Sequence, residues 1–156
     1  MAPAEVGGGS ATHLALARGL LAFLCGAQGL ATLAIDLNRT HAANPLWLRH
    51  ARFHLVWQAV SYALLSVLEL ALILAPGPLP AERFYLAAIL ASIPMLGCFA
   101  AFFFRKIYGG ALFDPNGIPP LSIAAFGSTI YLDLNLAAES VALSLLLATI
   151  FLYQHG

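Results

Sequence analysis

Four stretches of this chain are apolar for long enough to cross a lipid bilayer, and nothing else in the sequence limits the fold as strongly. A helix that crosses a hydrocarbon core of about 30 Å needs roughly 20 apolar residues. The stretches run from about Leu14 to Ile35, Phe53 to Ala75, Phe84 to Phe104 and Asp133 to Tyr153. With 61% hydrophobic and only 9% charged residues and a mean hydropathy of +0.86, the apolar surface has to face lipid. Backbone polar groups in hydrocarbon must be satisfied within the segment, so these runs are expected as helices. The expected fold class is therefore all-α: an integral, multi-pass membrane bundle of four transmembrane helices.

The boundaries have local causes. Pro76, Pro78 and Pro80 end the second run, because proline lacks the N–H that would continue a helix. Pro94 lies inside the third run as a kink, and Arg105 and Lys106 close it. Apolar sequence then continues from Leu121 to Tyr153, 33 residues, which as one helix would be about 50 Å long at 1.5 Å per residue. That is too long for the bilayer core. A short interfacial or re-entrant helix over residues 121–132, followed by a span starting near Asp133, is expected, and a single tilted helix is the alternative. Residues 1–13, rich in glycine, are expected as a flexible tail, leaving 14–156 as one membrane domain. The first span lacks a positive lead-in and is expected to be retained.

Arg39, Arg49, Arg52, Arg105 and Lys106 fall in the first and third loops, against only Arg18 and Arg83 on the other side. Positive charge favours the cytoplasmic face. Both termini are thus expected outside the cytoplasm, in a cell inner membrane. The formal charge is zero, and no basic run offers a nucleic-acid footprint. Cys25 and Cys98 lie in apolar segments without a C-x-x-C spacing and are expected as small buried thiols.

Polar chemistry is concentrated in Asp36 to Gln58. These 23 residues hold three of the five histidines, three of the seven Lys/Arg residues and both tryptophans. Ionisable groups at membrane depth are costly and are functional candidates by default. His50 and His54 are spaced i, i+4 and share a helix face if the second helix begins near Leu48; Gln58 continues that face. Asp36, Asn38, His41, Asn44 and Trp47 arrive from the first loop, and Asp133, Asn135 and Glu139 from the start of the last span. Two mechanisms suit such a set. A divalent metal, iron or zinc, would take His41, His50 and His54 with a carboxylate. Without a metal, a histidine would act as general acid or base with its tautomer fixed by an aspartate.

The pattern D-x-N-x-T-H-x-x-N-P-x-W-x-x-H-A-x-F-H-x-x-x-Q, residues 36–58 here, resembles an uncharacterised family of small four-helix membrane proteins of bacteria and fungi. Leu48 stands where such proteins often have proline. The resemblance implies that Asp36, His41, Asn44, Trp47, His50, His54 and Gln58 belong to one site, and it brings no activity. The layout also resembles small membrane isomerases, cyclases and sterol-binding bundles. The expected function is an enzyme acting on a lipophilic small molecule by isomerisation, cyclisation or oxidation. Its catalytic groups would be His50, His54, Asp36 and Asp133, with Asn38, Asn44, Trp47, Gln58, Asn135 and Glu139 binding substrate. A non-catalytic carrier, metal-binding or accessory module is the alternative. Membrane lipid, or a lipophilic small molecule, is the expected partner, together with a second copy in a homo-oligomer.

Overall fold

The computed structural model describes residues 8–125 and 127–156. In chain order the elements are α1 (Gly8–Asp36), α2 (Arg49–Leu74), α3 (Pro80–Phe104), β1 (Leu121–Ala125), β2 (Ser128–Leu132) and α4 (Leu134–Gln154). All four helices are long and apolar enough to cross a membrane. Even the shortest, α4 with 21 residues, reaches about 32 Å at 1.5 Å per residue. The chain is an all-α, multi-pass bundle. Helix starts fall close to expectation except at the N-terminus, where residues 8–13 are helical rather than tail; residues 1–7 lie outside the described residues. Because α2 begins at Arg49, His50 is already helical.

Neighbouring helices alternate in direction and pack in a square: α1 on α2, α2 on α3, α3 on α4 and α4 back on α1. The α1–α2 seam is the tightest. A Cβ on Gly29 would stand 2.6 Å from the Ser66 Cβ, and the Ser66 hydroxyl donates to the Cys25 carbonyl at 2.6 Å. Small residues of this kind let helix backbones approach where no hydrophobic force drives them together. Large apolar side chains such as Phe23, Leu30, Leu64, Val67, Ile89 and Val141 point outward, as lipid-facing residues must.

The packed core is lopsided. Ala17, Leu21, Leu24 and Cys25 of α1 meet Ile73 of α2, Phe84, Ala87, Ala88, Ala91 and Met95 of α3, and Leu146 of α4. Most of these lie in the half of the bundle nearest the chain termini, with Leu24, Cys25 and Met95 just past the midpoints of α1 and α3. There Phe84 stacks on Tyr153 with centroids 3.8 Å apart. The half that carries the first and third loops has little such packing.

Residues 121–132 correct one expectation. Instead of an interfacial or re-entrant helix they form an antiparallel hairpin, with Leu121 opposite Leu132 and Ile123 opposite Ile130. The strands carry Ser, Thr, Ile and Tyr in near alternation, a period that suits a pleated ribbon. The turn between them uses Gly127 at φ +76°, a conformation that glycine adopts without penalty.

Candidate functional site

The first loop, residues 37–48, folds largely upon its own polar side chains. Asn38 Nδ2 donates to the Ala34 carbonyl at the end of α1, while Asn38 Oδ1 accepts from the Thr40 N–H and the Thr40 hydroxyl. The single hydroxyl proton of Thr40 is thereby committed. His41 Nδ1, 2.8 Å from Thr40 Oγ1, must then be the donor, which leaves Nε2 as the other ring position. The His41 ring stands edge-on to Trp47. Asn44 is 6% exposed; its amide donates to the Asn116 carbonyl at 2.7 Å and its Oδ1 accepts from the Leu46 N–H. Asn44 therefore clamps the first loop to the third. Asn38 and Asn44, expected to hold substrate, are spent on this architecture.

His50 and His54 do share a helix face, with their Nε2 atoms 3.1 Å apart. That face is on the outside. Both rings are exposed, and His54 stacks on Trp57 beside an open apolar groove lined by Phe53, Val56, Trp57 and Val60. The expected metal trio is not assembled, since His41 is turned to Thr40 and Trp47. Among the described residues no three His, Cys, Asp or Glu side chains gather closely enough to hold a metal ion. An iron or zinc centre on His41, His50 and His54 thus lacks its geometry. The i, i+4 rule put the imidazoles on one face correctly; it does not say which way that face looks.

Inside the loop half of the bundle a different set converges. Asp36 of α1 lies within electrostatic reach of His41. Tyr62 of α2 lies beside the Gln58 amide and within reach of Glu139, Cys98 and Asp36. Cys98 of α3 is in turn within reach of Glu139 and Asp133. Each of the four helices contributes one titratable group: Asp36, Tyr62, Cys98 and Glu139. Asp133 caps α4, accepting from the Leu136 N–H at 2.8 Å. Below it a cavity of about 160 Å³ opens between α3 and α4, lined among others by Cys98, Phe102, Arg105, Tyr108, Asp133 and Asn135. The Arg105 guanidinium sits over the Phe102 ring at 4.3 Å and donates to the Phe102 carbonyl. Asp36 and Glu139 thus share the electrostatic neighbourhood of Tyr62, and Asp133 and Asn135 line the cavity. Tyr62, Cys98 and Arg105 join them unforeseen. For Tyr62 the signal was available: Gln58, Tyr62, Ser66 and Glu69 are spaced 4, 4 and 3 residues apart, a polar stripe on one helix face.

Farther in, Glu69 is 1% exposed and neither carboxylate oxygen has a nitrogen or oxygen partner; the Cys25 thiol, a weak donor, lies alongside it. Arg18 of α1 donates to the Ile73 carbonyl, one turn beyond. Gln28 Nε2 and Trp47 Nε1 are likewise buried donors without acceptors.

Compared with known proteins, the chain matches no family model, no curated sequence and no solved structure.

Proposed function

We propose that this chain is a membrane-embedded enzyme that moves a proton on a lipophilic small molecule drawn from the bilayer, in an isomerisation or cyclisation. The observation that carries this reading is that Tyr62, midway along α2, lies within electrostatic reach of Asp36, Cys98 and Glu139, one from each other helix, next to the half of the bundle without a packed core. Apolar walls with a few converging polar groups are the usual make-up of a small-molecule site. The 160 Å³ cavity has the volume of about five water molecules at ~30 Å³ each. It takes a polar end of the substrate beside Asp133 and Asn135; the reacting atoms lie farther in, toward Glu139 and Tyr62, both within electrostatic reach of Cys98 in the cavity wall. Glu139 and Tyr62 serve as the acid–base pair, Asp36 fixes the charge at the mouth, and Asn135 with Arg105 holds a polar substituent. On the distribution of basic residues, this end faces the cytoplasm of a cell inner membrane.

The test is mass spectrometry of small molecules that co-purify with the protein, followed by incubation of each enriched compound with wild type, Glu139→Gln and Tyr62→Phe. One compound converted by wild type, and more slowly by both variants, supports the reading. The same compounds in all three preparations, with none converted, would overturn it.

A second reading has one observation in its favour. The stripe Gln58, Tyr62, Ser66 and Glu69 leads from the loop end to a fully buried carboxyl, which suits a small carrier whose polar groups are spread in depth. Substrate movement across vesicles that fails in Glu69→Gln, with no conversion by wild type, would favour it.

A further inference from the structure

The hairpin of β1 and β2 contains Leu121, Ser122, Ile123, Ser128, Thr129, Ile130, Tyr131 and Leu132, and no charged residue. Residues paired across an antiparallel ribbon point to the same side. The register therefore places Leu121, Leu132, Ile123 and Ile130 on one face and Ser122, Tyr131, Ala124 and Thr129 on the other. The four aliphatic side chains are 39% to 51% exposed. No helix packs broadly against the hairpin, so the protein leaves this apolar face uncovered.

What covers it is fixed by two constraints. Leu132 is two residues from Leu134, where α4 begins its crossing. At about 3.3 Å per residue, this end of the ribbon is tethered at the bilayer surface. A two-stranded ribbon also has two open edges of unpaired N–H and C=O groups, which hydrocarbon does not satisfy. The ribbon is thereby kept out of the bilayer core, while its aliphatic face is kept out of water. Only the boundary between acyl chains and headgroups meets both demands.

We infer that residues 121–132 bind the lipid surface as an amphipathic β-ribbon, Leu121, Ile123, Ile130 and Leu132 seated among the upper acyl chains and both strand edges in the hydrated headgroup layer. With no charge on the ribbon, the attraction is hydrophobic and needs no anionic lipid. It does not depend on the proposed chemistry. Its consequence for the site is that Asp133 and Asn135, which follow at once, are held with the cavity mouth at headgroup depth.

Nitroxide scanning of the full-length protein in vesicles of neutral phosphatidylcholine tests this. Single labels go on Ser122→Cys, Ile123→Cys, Thr129→Cys and Ile130→Cys in a Cys98→Ala background; Cys25 stays in place as a buried thiol, with the unsubstituted background as the labelling blank. All four positions are exposed, so folding should survive, and size-exclusion profiles check it. Labels at 123 and 130 are expected to collide several-fold more with oxygen, relative to a water-soluble nickel chelate, than labels at 122 and 129. Uniform chelate access would place the ribbon in water and overturn the inference. Uniform oxygen access at bilayer-centre depth would make it re-entrant and do the same. If labels at 123 and 130 are shielded from both reagents and show dipolar broadening that unlabelled protein dilutes away, the face is covered by a second copy and the inference fails.

Discussion

Glu69 is the residue whose presence costs the fold most visibly. It is buried in α2 with no nitrogen or oxygen partner and only the weakly donating Cys25 thiol beside it, next to a core in which an aliphatic side chain would pack. An unsatisfied buried polar group costs about 1–3 kcal/mol, and replacing it with an apolar group of similar shape removes that penalty. Glu69→Met is therefore expected to raise the melting temperature, by roughly 2–4 °C for each kcal/mol recovered in a chain of this size. Thermal unfolding in detergent measures it. A clear fall would mean that the carboxyl has a stabilising partner. A rise accompanied by lost turnover or transport would identify Glu69 as a group kept for function. His50 and His54 illustrate the opposite case, since their spacing suggested a site and their exposure on the outer face leaves them each other and the rings of Phe53 and Trp57. Period alone assigns residues to a common face; the identity of the inward face depends on which helix packs where. For α2 that face carries Ala59, Ser66, Glu69 and Ile73.

At the level of elements, the spans were legible because each is an apolar run bounded by proline or charge, and α4 starts next to Asp133, where its span was expected. The hairpin was not legible. Residues 121–132 are apolar enough to satisfy a helical and an alternating pattern alike, and its strand pairing is long-range information absent from local composition. The α1–α2 seam was equally hidden, because a glycine in an apolar run says nothing about what faces it. Gly29 meets Ser66 so closely that an added methyl collides with the Ser66 Cβ at 2.6 Å. Gly29→Ala is expected to destabilise the protein by about 1–3 kcal/mol through overpacking. Removing the opposing side chain gives the methyl room, so Gly29→Ala combined with Ser66→Gly should be more stable than the two single losses added together. Unfolding of the two single variants and the double variant checks this. Strict additivity would place the strain elsewhere.

Across the whole molecule the two halves of the bundle have different jobs. The terminal half is closed by Ala17, Leu21, Phe84, Ala88, Ala91, Met95 and Leu146, and by the Phe84–Tyr153 stack. The loop half holds Tyr62 within electrostatic reach of Asp36, Cys98 and Glu139, beside a small cavity whose wall includes Cys98 and Asp133, with loop one clamped to loop three by Asn44. Segments with few buried apolar contacts open locally at lower free energy than the core, and a substrate that arrives sideways from lipid needs such an opening. Hydrogen exchange followed by mass spectrometry should therefore divide each helix rather than separate one helix from another. Amides near residues 17–25 and 84–95 should exchange at least about ten-fold more slowly than those near 30–36, 50–62 and 134–140, a ratio that corresponds to a difference of about 1.4 kcal/mol in opening free energy. Adding a compound that the site accepts should slow the loop half and leave the terminal half unchanged. Equal protection along all four helices would mean that the polar half is as closed as the core. The reactive end of a substrate would then have no way in from the bilayer, and the assignment of Tyr62 and Glu139 as the acid–base pair would fall with it.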